Sequence, residues 1–153
     1  MKKNALTVTV GVLLILYAVI NFGAGFGEIS KAKIVSATTS VSSSMGEMAG
    51  DKAGAAKVRK EGSAASSMLY LIALFILVTA VLEIVASIGL FSGKSWAFWI
   101  VITAVICGII VEIQDTAEDG FGIGKAIFFG INALALITAF LAREQIQEPT
   151  RQS

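Results

Sequence analysis

The chain has 153 residues and a net charge of +1; 56% of its residues are hydrophobic and 15% charged. Soluble domains carry roughly 45–50% apolar and 25% charged residues, and here the apolar excess is gathered in blocks, the signature of an integral membrane protein. The balanced charge excludes a bulk attraction for nucleic acid, and the absence of histidine excludes imidazole metal sites, histidine-ligated haem and histidine bases.

The first apolar run spans about residues 5–26 and follows Lys2 and Lys3. It has the outline of a signal peptide. However, it is long, and Asn21-Phe-Gly-Ala-Gly-Phe26 offers no Ala-x-Ala site, so it is expected to remain as a membrane helix. Asn21 lies late in this run, with Tyr17 one turn earlier. A buried asparagine reads first as interhelical glue and second as a functional polar group.

Residues 27–67 form the one sizeable extramembrane segment, rich in Ser, Ala and Gly and without aromatics. A solvated linker is the plain reading. Yet Ile34, Val41 and Met48 recur every seven residues, with Ala37 and Met45 nearby, which predicts a narrow helical stripe. Gly50-Asp51 is a plausible break, and Lys52 to Ala65 can return as a second helix. The expectation is a helical hairpin that continues the first and second spans. Its stripe of Ile34, Val41, Met45 and Met48 is expected to pack on a partner or on its own hairpin mate.

The second run, 68–91, carries Glu83 at its centre. An ionisable group at that depth costs at least about 2.5 kcal/mol on insertion scales. Ala80 and Ser87 share its helical face, so close helix approach and hydrogen bonding can offset the cost. Desolvation disfavours the charged form, so a neutral, hydrogen-bonded acid is one reading and a proton or ligand site the other.

Ser92-Gly93-Lys94 is a tight link to the third run, 95–113. Trp96 and Trp99 read as interfacial anchors. Ala97, Val101, Ala104, Gly108 and Glu112 fall on one stripe, in which Ala104 and Gly108 make a small-xxx-small packing face. Cys107 has no second thiol to pair with. Glu112, Asp115 and Asp119 could offer oxygen ligands, but a solvated acidic loop is the expectation, with no metal and no cofactor. Gly120-Phe-Gly-Ile-Gly-Lys125 does not match a phosphate loop and reads as a flexible helix start. The fourth run, 121–141, carries Asn132 at its middle. With alternating helix directions, Asn132 and Glu83 are expected in neighbouring layers, and Asn21 and Glu112 together toward the far side.

The fold class is therefore all-α, a four-transmembrane-helix bundle in a single membrane domain. A count of Lys and Arg over the loops mildly favours the termini outside, but Lys2 and Lys3 abut the first helix and that helix usually dominates. Both termini are expected in the cytoplasm.

The hairpin Ala80-Val-Leu-Glu83-Ile-Val-Ala-Ser-Ile-Gly89-Leu-Phe-Ser-Gly93-Lys-Ser-Trp-Ala97 resembles small bacterial membrane proteins of the DoxX-like group. These typically place a glutamate in the second span, then glycines, then a basic residue opening the third. Their longest loop also joins the first two helices. The first helix here lacks the group's usual arginine and Gly-x-x-Lys ending, and the long loop lacks its proline. The resemblance implies a bacterial cytoplasmic membrane protein in which Glu83 is the residue carried over. Some members look like subunits of quinone-linked oxidoreductases.

The functional expectation is a non-enzymatic accessory or scaffold subunit, associating with a protein partner or with itself through residues 27–67. The alternative is a transporter or channel subunit with Glu83 in a proton or small-solute path. No nucleophile–base pair is visible.

Overall fold

A computed structural model describes residues 5–119 and 122–141. The described residues form helices α1 (Ala5–Met48), α2 (Lys52–Phe91), α3 (Trp96–Asp119) and α4 (Ile123–Leu141). The molecule is an all-helical membrane bundle, as its apolar blocks require: backbone groups in lipid need partners within their own segment. At 1.5 Å per residue α3 and α4 are about 36 and 28 Å long, against a hydrocarbon thickness of about 30 Å. Helices α1 and α2 are about 66 and 60 Å long, and each is long and apolar enough to cross a membrane.

The predicted break at Gly50-Asp51 is where α1 ends. Gly50 adopts φ +84°. Its N–H donates to Glu47 O at 3.1 Å, and the Asp51 N–H donates to Gly46 O at 2.9 Å. This closes the last turn in the manner that favours glycine after a helix C-terminus. Asp51 Oδ1 then accepts from the Gly54 N–H at 2.9 Å, capping α2. The α2–α3 link uses the same device: Gly93 has φ +65° and the Lys94 N–H donates to Gly89 O at 2.9 Å. Helix α3 outruns its predicted end at residue 113. Residues 114–119 contain neither Gly nor Pro, so nothing stops the helix before Gly120.

The chain divides into two compact units, Gly23–Leu74 and the remainder. In the remainder, the apolar core gathers Val10 and Leu14 of α1, Ala86 and Leu90 of α2, Phe98, Val101 and Val105 of α3, and Ala135 and Ala139 of α4. Close approach comes from small residues. A Cβ on Gly89 would stand 2.8 Å from the Ala97 Cβ, and one on Gly11 would stand 2.7 Å from the Phe91 ring.

In the Gly23–Leu74 unit the two arms pack on a seam of small residues. Ala32, Ser43, Ala55, Ser66 and Ala73 are buried. A Cβ on Gly46 would meet the Ala55 Cβ at 3.3 Å. The Thr39 side chain occupies the space a side chain on Gly62 would need. Arg59 Nη2 donates to Glu47 Oε1 at 2.9 Å, tying the arms near the turn. Beside the seam lies a cleft of about 340 Å³ bordered by Ser36, Ser40, Ser63 and Arg59.

Candidate functional site

The larger unit carries a buried polar network across three helices. Asn21 and Tyr17 stand one turn apart on α1 and therefore share a face. The Asn21 Nδ2 amide donates to both carboxyl oxygens of Glu83, at 2.9 and 3.0 Å. Glu83 is 3% exposed and Asn21 8%. The pair thus gives the costly carboxyl a dedicated donor where water is excluded.

One turn toward the start of α1, the Tyr17 hydroxyl donates to Phe128 O of α4 at 2.8 Å. It also accepts from Asn132 Nδ2 at 3.1 Å. The same Asn132 amide donates to Phe128 O at 3.1 Å. The Tyr17 and Phe128 rings meet edge-on with centroids 5.5 Å apart. A Cβ on Gly108 would lie 3.3 Å from Asn132 Oδ1, so the absence of a side chain there lets α3 lie against the asparagine. Ser87, fully buried, donates from Oγ to Glu83 O at 2.8 Å and to Gly11 O at 3.1 Å. It bridges α2 to α1. Among the described residues no buried side-chain nitrogen or oxygen lacks a hydrogen-bond partner.

The structure regroups the polar residues that the sequence layers suggested. Asn21, not Asn132, meets Glu83, and Asn132 instead meets Tyr17. The reason is register. Helices α1 and α2 are joined at Gly50, and Asn21 and Glu83 stand at similar sequence distances from that turn, whereas the ends of apolar runs locate depth only coarsely. Ala80 and Ala104 are buried as helix-packing residues, and Gly108 is half-buried. Glu112 lies in α3, but its side chain lies outside the described residues, as do those of Asp115 and Asp119. The described residues contain no cluster of His, Cys, Asp and Glu that could hold a metal ion.

On the hairpin, one of the two expected packings of the stripe, against the hairpin mate, is absent. Ile34, Val41, Met45 and Met48 do not pack on the hairpin mate; they are 66%, 60%, 66% and 89% exposed. The arms meet through Thr39, Ser43 and Gly46 instead. Small residues win this seam because they let two helix backbones approach closely. The signal was present in the sequence: Ala32, Thr39, Ser43 and Gly46 keep helical spacing two residues ahead of the apolar stripe.

A family model described as predicted membrane protein (DUF2127) matches residues 30–144. The match takes in Glu83 and Asn132 and begins after Tyr17 and Asn21. No DoxX-like family model matches, and no curated protein or solved structure matches the chain. With most of its length covered, including α2, α3 and α4 whole, the chain belongs to the DUF2127 family of predicted membrane proteins.

Proposed function

We propose that the protein is a non-enzymatic accessory or scaffold subunit of a membrane assembly, acting by association through the hairpin of residues 27–67. The observation that carries this reading is the exposed stripe of Ile34, Val41, Met45 and Met48. Residues 27–67 also carry Lys31, Lys33, Glu47, Asp51, Lys52, Arg59 and further charges, too many for lipid to solvate. The hairpin is therefore placed in water, where an apolar face calls for a partner. The Glu83 carboxyl supports the same reading, because it is engaged by Asn21 within the bundle.

The proposed location is a bacterial cytoplasmic membrane with both termini inside and the hairpin outside. In a Cys107→Ser background, cysteine at Ser44 should react with an impermeant thiol reagent in intact cells, and cysteine at Ser153 should not. The association itself is tested by purifying the protein in mild detergent and identifying what accompanies it. Replacing Ile34, Val41 and Met48 with serine should release that companion while the spans stay inserted. Retention of every companion by the triple variant refutes the role of the stripe. The second reading, transport, is favoured by the position of Glu83 inside the bundle. It is separated by Glu83→Gln, which would abolish a proton-dependent flux in liposomes only if Glu83 carries it.

A further inference from the structure

The α1 arm of the hairpin has two seams. The inner one, Ala32, Thr39, Ser43 and Gly46, is spent on the α2 arm. Adding two to each position gives Ile34, Val41, Met45 and Met48, and two residues turn a helix by about 200°. The second seam therefore lies on the opposite side of the same helix. With Thr38 included, its positions are spaced four, three, four and three, the heptad alternation of a and d positions. All five side chains are exposed. Spacing of this kind matches another α-helix lying nearly along the first, since it keeps one stripe facing a partner of the same period.

We infer that the outer seam pairs with the outer seam of a second copy of this chain, in parallel and in register. The inference rests on the association reading above and names its partner. Charge points to self-pairing. From Ile34 through Gly46 the α1 arm has no charged residue. The positions beside the seam, Val35, Ala37, Ser42 and Ser44, are small or apolar. Coiled-coil partners are chosen or rejected by charges at those flanking positions. Between Ile34 and Met48 no flanking charge repels an identical copy or selects an oppositely charged stranger, and Lys31, one seam position earlier, is paired with Glu28. A two-fold contact also requires a surface that complements itself, which a neutral stripe of Ile, Thr, Val and Met does. Two copies inserted in one bilayer share an orientation, so their α1 helices run parallel. Equivalent residues then lie level: Ile34 against Ile34, Val41 against Val41, Met48 against Met48. The seam covers only about 21 Å, too little to hold two isolated helices in water. Anchoring in a common membrane supplies the effective concentration that shortness forfeits.

The test is disulfide trapping of full-length protein in native membranes, in a Cys107→Ser background. Cysteine at Val41 should form a homodimer under mild oxidation several-fold more than cysteine at Lys60, an exposed position on the α2 arm. Cysteines at Ile34 and at Met48 should each trap a homodimer too. Equal trapping at Val41 and Lys60 overturns the inference. So does efficient cross-linking of an Ile34 cysteine in one copy to a Met48 cysteine in another, which would mean antiparallel pairing. In a second measurement, replacing Ile34, Val41 and Met48 with serine should lower the mass in mild detergent to that of a monomer. If the unaltered protein is monomeric and the serine variant loses a different protein, self-pairing fails while the association reading stands. If the substitution changes neither mass nor companions, both fail.

Discussion

The bundle and the hairpin both bury small and polar residues and turn large apolar ones outward, although only the bundle adds a core of Val, Leu and Phe. In the bundle, Asn21, Glu83, Ser87 and Asn132 are inside, and Leu16, Val19 and Ile88 are outside. In the hairpin, Ala32, Ser43 and Ser66 are inside, and Ile34, Val41 and Met48 are outside. Lipid explains the first case. Hydrocarbon is as apolar as leucine, so outward aliphatic side chains cost nothing and the interior is free to hold small and polar groups that join helices. Lipid cannot explain the second, because charges on both arms keep the hairpin out of hydrocarbon. One pattern in two solvents thus has two readings: a boundary with lipid in the bundle and, under the association proposed above, a contact face on the hairpin.

The comparison breaks most directly at Gly62. The Thr39 side chain fills the space a Cβ there would need, so Gly62→Val must push the arms apart. Overpacking of this kind costs about 1–3 kcal/mol. Amide exchange across the hairpin should accelerate, while exchange in the bundle stays unchanged. Adding Thr39→Gly should slow it again. Unchanged exchange in the single variant would mean that the small-residue seam does not hold the arms.

In the bundle the matching break is Glu83→Leu. It leaves the Asn21 amide buried without its acceptor, and the loss should be about 1–2 kcal/mol, the scale of hydrogen bonds between membrane helices. Unfolding in mixed SDS and mild-detergent micelles measures it. A variant as stable as the parent would remove Asn21–Glu83 from the forces that join α1 to α2.

Both breaks lie where the sequence was hardest to read. The helices themselves were legible: apolar runs of sufficient length, Gly50-Asp51 as a stop and Gly93 as a link are local signals. The hairpin followed because Lys52 restarts a helix directly after the stop. Pairings were not legible. Which residue meets Glu83 depends on the rotation and axial shift of two helices, and hydropathy locates depth only to within a turn or two. Tyr17 entered the reading as a neighbour of Asn21, yet its hydroxyl organises Asn132. The inner seam was missed for a different reason. An apolar stripe draws attention as the buried face, whereas Ala, Ser, Thr and Gly pack closest while adding little hydrophobicity.

Tyr17→Phe gives a smaller effect that sharpens the picture. It keeps the ring against Phe128 and removes only the hydroxyl between Asn132 and Phe128 O. Asn132 still donates to Phe128 O, so the loss should be about 0.6 kcal/mol, the average for such bonds in a membrane protein. A loss several times larger would show that Tyr17 and Asn132 act as one unit with Asn21 and Glu83, and double variants with Glu83→Leu would then be non-additive.

The smallest expected effect is that of Glu83→Gln, and it decides most about function. In the parent, one Asn21 amide nitrogen serves both carboxyl oxygens. A glutamine of the same shape keeps one of those acceptors, and a small turn of the facing amides lets its N–H group reach the Asn21 amide oxygen instead of opposing the Asn21 N–H. The pair survives as two amides, so stability should change by less than about 0.5 kcal/mol, against the larger loss expected for Glu83→Leu. What glutamine cannot do is gain or release a proton. A variant that folds, keeps its companions and matches the parent in every assay places Glu83 with Asn21 as glue between α1 and α2. A variant that folds equally well but loses a proton-dependent flux moves the function from the hairpin into the bundle, and the outward stripe on α1 then assembles a transporter.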